Sequence, residues 1–128
     1  MQRLLVHVEG YAEAAFVDEV FSPYLLSRGY ESVKPRLLGN ARLRRARGGI
    51  KPWVPVRKEI VNHLRQDAGL ILTTMVDYYA MPRDWPGREA PGGAIEAPAM
   101  LDSLLNDVVK EMGSSFDRRR FVPYVAVH

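Results

Sequence analysis

Apolar positions in this chain alternate between short unbroken runs and longer stripes at helical spacing. Leu4-Leu5-Val6-His7-Val8 is almost continuously apolar, the pattern of a strand buried on both faces. Glu9-Gly10 interrupts the run, and Phe16, Val17, Val20 and Phe21 then share one side of a helix over residues 12–21. Ser22-Pro23 reads as a fresh cap with a first-turn proline, so the helix is expected to kink or restart there. Tyr24 and Leu25 continue the stripe until Gly29 stops it. Residues 32–38 form the next expected strand, which Pro35 places near a sheet edge.

Beyond a glycine- and arginine-rich stretch, Trp53, Val56, Ile60 and Leu64 recur with helical period, so a second helix starts at Pro52 or Trp53 and ends at Asp67-Ala68-Gly69. Residues 70–76 are apolar and rich in β-branched side chains, and Asp77 follows at once. A long loop over residues 78–97 carries Pro82, Pro86, Pro91, Gly87, Gly92 and Gly93. Leu101, Leu104, Leu105, Val108 and Met112 mark a third helix that Gly113 stops, and residues 121–127 read as a last strand. The order β-α-β-α-β-α-β predicts one α/β domain over residues 1–128. Its mainly parallel four-stranded sheet would lie between helical layers joined by right-handed crossovers.

Composition narrows the chemistry. With no cysteine among 128 residues, disulfides, thiolate nucleophiles and cysteine-ligated zinc are excluded. No apolar run approaches a membrane span and the N-terminus lacks a signal-peptide layout, so a cytoplasmic protein without membrane contact is expected. The formal charge is +3, unevenly distributed. Arg42, Arg44, Arg45, Arg47, Lys51, Arg57 and Lys58 crowd one stretch, and Arg118, Arg119 and Arg120 another, an asymmetry that permits a polyanionic partner.

Open α/β sheets place their working sites outside the carboxyl ends of the strands. Two strands here end in acids, Glu9 and Asp77, and Glu13 stands one turn into the first helix. Three carboxylates converging there would repel one another. A hard cation relieves that repulsion, since magnesium is held by a carboxylate or two together with waters and phosphate oxygens. Gly10 permits a tight backbone turn beside the site, and the following helix start favours a phosphate. Simpler readings stand beside this one: Glu13 complements the helix dipole, and Asp77 begins a turn.

The opening "LLVHVEGYAEAAF" resembles that of Toprim domains, in which a strand-ending glutamate and a glycine precede the first helix. More closely, "LLVHVEGYAEAAFVDEVFSPYL", "PRLLG", "TTMVDYYAMPRDWPG" and "RFVPYVAVH" are similar, in order, to blocks of domain-of-unknown-function family 4276, regarded as Toprim-like. The resemblance implies a three-layer Toprim/Rossmann-like fold and a Mg2+- or Mn2+-dependent nuclease acting on DNA or RNA. It also implies a role as effector in phage defence beside a partner ATPase. Glu9 matches the Toprim glutamate and Asp77 the first aspartate of an Asp-x-Asp pair. Tyr79 stands where Toprim nucleases keep the second aspartate, so Asp84 or Glu13 is expected to compensate. Family members also continue past the final histidine, which makes a short member, a fragment or a degenerate copy the expectation for a sequence ending at His128.

Arg42, Arg44, Arg45, Arg47 and Lys51 are the candidate phosphate-backbone contacts, against the alternative of a solvated loop. Arg118–Arg120 reads as a solvated turn. Tyr78, Tyr79 and Trp85 are candidates for stacking on bases, with packing of the long loop preferred for Trp85. His7 reads as a core residue with a satisfied ring nitrogen and His63 as a surface residue, neither with a partner at metal-ligand spacing. The glycine-flanked serine elbow, the dinucleotide fingerprint and the phosphate loop are all absent. The leading expectation is a metal-dependent phosphodiester hydrolase. The alternative is a catalytically weak binding or regulatory module working with an ATPase. Homo-oligomerisation stays open in both.

Overall fold

In the computed structural model, described over residues 2–38, 52–88 and 97–126, strand β1 (Arg3–Val8) lies between β2 (Ser32–Leu37) and β3 (Leu70–Asp77). Both pairings are parallel, Leu5 sitting level with Lys34 on one side and Leu72 on the other. The sheet runs β2-β1-β3-β4, where β4 is Phe121–Val122, and β5 (Val125–Ala126) also pairs with β3. Pro35 therefore sits on an edge strand, where a missing ladder donor is tolerated. This is a mixed α/β fold with a parallel sheet, consistent with the Rossmann/Toprim-like class.

Alternation along β1 divides the core. Leu4, Val6 and Val8 face one side, with Val33 of β2 and Val17 from the first helical segment. Leu72 and Val76 of β3 face the other side. There Val56, Ile60 and Leu64 of α3 (Trp53–Gln66) meet Met100, Leu104 and Val108 of α4 (Ala97–Met112). Each of these stripes follows the period of its element, and each large apolar side chain fully buried contributes roughly 1.5–3 kcal/mol. Pro55 and Pro98 fall in first helical turns, where their missing N–H groups would have had no intrahelical partner. Gly113, at φ +102°, closes α4 by donating its N–H to the Val109 carbonyl.

Two local features differ from the sequence reading. The expected kink or restart at Ser22 takes the form of a π-helical turn rather than a break with a fresh cap, since Ser22 itself has helical φ and ψ of −62° and −51°. Here α1 (Tyr11–Phe16) passes through the π-helical turn (Val17–Phe21) into α2 (Ser22–Leu26), with the Ser22 N–H reaching back to the Val17 carbonyl. Pro23 has no N–H and its ring crowds the carbonyl four residues earlier, so a widened turn just before it relieves the clash without ending the helix. The last strand is also not continuous: β4 and β5 are separated by Pro123 and Tyr124. Pro123 cannot donate to a ladder, and the Thr74 hydroxyl fills the gap, donating to the Tyr124 carbonyl at 2.7 Å and accepting its N–H at 2.8 Å. The four expected strands thus become five. Among the described residues no helix is long and apolar enough to cross a membrane.

Candidate functional site

The two strand-ending acids stand on neighbouring strands at the same edge of the sheet. Glu9 directly follows Val8, the last residue of β1, and Asp77 closes β3; the register places Val8 level with Met75. Both carboxylates are partly buried. Asp77 Oδ1 accepts the Tyr79 N–H at 2.9 Å and so caps the single 3-10 turn Tyr78–Ala80. The turn-starting role read from sequence is therefore present, and it fixes one oxygen of the carboxylate. Glu13 lies partly buried in the first turn of α1, where it complements the helix dipole. Two oxygen-donor acids brought from distant parts of the chain to one sheet edge suit a hard cation such as magnesium.

Asp84 takes a different part. Its Oδ2 accepts the Trp53 N–H at 3.0 Å, so it caps the start of α3, whose own N-cap residue, Pro52, offers no side-chain acceptor. The aromatics of the long loop divide. Trp85 is buried against Trp53, ring centroids 4.9 Å apart, as packing of the loop requires. Tyr78 is buried beneath the Arg88 guanidinium, 4.0 Å from its ring centroid, and so offers no face to a base. Tyr79 is 55% exposed, with its ring edge-on to that of Tyr78 at 5.3 Å. Arg42, Arg44, Arg45, Arg47 and Lys51 lie outside the described residues.

The second arginine cluster is not a solvated turn throughout. Arg120 donates to the carbonyls of Leu64, Asp67 and Leu70, tying the end of α3 to the start of β3. Arg118 and Arg119 remain exposed. Arg57, from the first basic stretch, is engaged with Asp107 and Glu111 of α4.

The sequence reading missed a histidine cluster. His7 is fully buried, but neither ring nitrogen has a hydrogen-bond partner among the described residues, contrary to the expectation of a satisfied core histidine. Its alternation places it on the α3 side of β1, level with Arg36 on β2 and Thr74 on β3. His63 is not a free surface residue: its ring lies edge-on to His7 at 5.5 Å. Glu59, four residues earlier on the same helix face, places Oε1 3.9 Å from His63 Nε2. One ligand atom from each of His7, Glu59 and His63 lies within 4.8 Å of the others. Burial, reinforced by the His63 ring and the Arg36 charge, pushes the His7 pKa down to about 3, so the imidazole is neutral. Burial and Arg36 also lower His63, opposed by Glu59. The Glu59-x-x-x-His63 spacing was a signal available in the sequence; its meeting with His7 depends on how α3 crosses the sheet.

Comparison with curated proteins and with solved structures finds no match. The model of one family, described as domain of unknown function (DUF4276), matches residues 8–128. That span takes in the strand-end acids, the Glu59/His63 helix face and β3 to β5, and on it the chain belongs to the DUF4276 family.

Proposed function

We propose that this protein is a magnesium-dependent phosphodiester hydrolase of Toprim type acting on DNA or RNA. The observation that carries the reading is the placement of Glu9 and Asp77 at the carboxyl ends of two adjacent parallel strands. Glu9 and Asp77 would hold the ion, with Glu13 in the neighbouring helical turn as auxiliary ligand or base. A magnesium ion there would polarise the phosphate and lower the pKa of a bound water. The Tyr79 amide on Asp77 Oδ1 orients that carboxylate before any ligand arrives, which reduces the cost of assembling the site. Arg42, Arg44, Arg45, Arg47 and Lys51 would guide the phosphate backbone. The resemblance to family 4276, regarded as Toprim-like and linked with ATPases in phage-defence loci, supports an effector role with an ATPase partner.

A second reading is a catalytically weak binding or regulatory module. It is favoured by Tyr79 at the place of the second acid, and by Asp84, whose carboxylate serves the start of α3. Cleavage assays with magnesium or manganese on single- and double-stranded DNA and RNA separate the two. Glu9→Gln and Asp77→Asn are each expected to lower cleavage by at least about a hundredfold, the scale of removing a charge-stabilising group from an active site. Wild-type rates in both variants would remove the mechanism. Purified wild-type protein that neither cleaves nor binds magnesium would favour the module.

A further inference from the structure

We propose that His7, Glu59 and His63 form a second metal site, selective for a borderline divalent transition metal and in the first instance Zn2+. The argument is independent of Glu9 and Asp77. Its starting point is the buried His7 ring, whose two nitrogens have no hydrogen-bond partner among the described residues. A polar group in that condition is costly, and native folds rarely leave one unserved unless something binds it. On its helix side His7 meets a second imidazole and a carboxylate, and the three ligand atoms already lie within 4.8 Å of one another.

The donor chemistry selects the ion. Two imidazole nitrogens and one carboxylate oxygen suit zinc, cobalt or nickel, whereas magnesium and calcium prefer oxygen donors throughout. Bonds of about 2.1 Å place tetrahedral ligand atoms roughly 3.4 Å apart, so no pair in the cluster needs to close by more than about 1.4 Å. Three protein ligands leave a fourth position for water or substrate, as in catalytic zinc sites. Glu59 and His63 also line a surface cavity of about 380 Å³ together with Arg36, Lys58 and Asn62, which gives an ion a route in.

The opposing charge is Arg36, whose Nε donates to Glu59 Oε1 at 3.2 Å. Arg36 lies on the edge strand with its side chain 55% exposed, so it can swing aside. Alternatively it can keep one carboxylate oxygen while the other ligates, the usual arrangement of an outer partner that orients a ligand. Lys58 borders the same cavity and favours an anionic occupant of the fourth position.

The test uses the full chain stripped of metal by a chelator. Titration with ZnCl2 is followed by calorimetry, and titration with CoCl2 by visible absorption. One saturable ion per chain is expected, with Co2+ giving the intense visible bands of a low-coordinate nitrogen and oxygen site. His63→Gln and Glu59→Gln, both at partly exposed positions and checked for folding by circular dichroism, should each weaken Zn2+ binding by roughly a hundredfold. A Glu9→Gln/Asp77→Asn double variant should bind Zn2+ as the wild type does, so the two proposed sites can fail separately. No saturable Zn2+ binding would overturn the proposal. So would folded His63→Gln and Glu59→Gln variants that bind at wild-type affinity, or binding abolished by the Glu9/Asp77 double variant.

Discussion

His7 and Thr74 are buried polar side chains level with each other in the β1–β3 register, yet their circumstances are opposite. The Thr74 hydroxyl both donates to and accepts from the Tyr124 backbone, whereas neither nitrogen of the His7 ring has a hydrogen-bond partner among the described residues. The fold tolerates His7 only as a neutral ring, which sets a pH dependence. Its pKa is about 3 in the folded state and near 6.5 when unfolded, so between these values the unfolded chain binds more protons. The stabilising contribution is complete above pH 6.5 and is lost as pH falls towards 3. In chelator-treated buffer, urea unfolding should therefore show stability falling by up to about 1.4 kcal/mol per pH unit across that window. His63, shifted in the same direction, adds to the trend. A His7→Leu variant should flatten the slope, and an unchanged slope would contradict this account. The sequence showed that His7 lies in a core strand. That its nitrogens go unserved is a property of three neighbouring elements, invisible to a one-dimensional pattern.

At the scale of elements, each strand and helix follows from apolar period and punctuation, and the departures trace to prolines. Pro23 produces a π turn instead of a break because residues on both sides keep one apolar stripe packed on the sheet. Pro123 splits the last strand, a signal that was present in the sequence and can be read as a missing ladder donor. The start of α3 was legible too, but not what caps it, since the acceptor comes from Asp84, 31 residues away. This gives a test of Asp84 itself. Asp84→Ala should destabilise the fold by about 1 kcal/mol, as loss of a helix cap does, and Asp84→Asn, which keeps an acceptor, by less than about half that. Thermal or urea melts check both. Calorimetry should find magnesium affinity unchanged in Asp84→Asn; a large loss there would return Asp84 to the metal site.

At the scale of the whole molecule, the parallel order β2-β1-β3-β4 sets side by side the two strands whose carboxyl ends carry Glu9 and Asp77. Glu9 and Asp77 were legible as strand-ending acids because both follow apolar runs, and the alternation of strands and helices implied that those strands would be parallel. That the two strands lie side by side was an inference about topology, which the β1–β3 register now supplies. The histidine cluster was not legible because it depends on α3 crossing the face of β1 at His7 rather than one turn along. The functional account rests on one ion bridging the two acids. A crystal soaked in MnCl2 and measured at the manganese absorption edge tests this most directly. The account predicts a single anomalous peak bonded to carboxylate oxygens of both Glu9 and Asp77. Manganese bound to neither acid, or to only one of them with the other turned away, would contradict it.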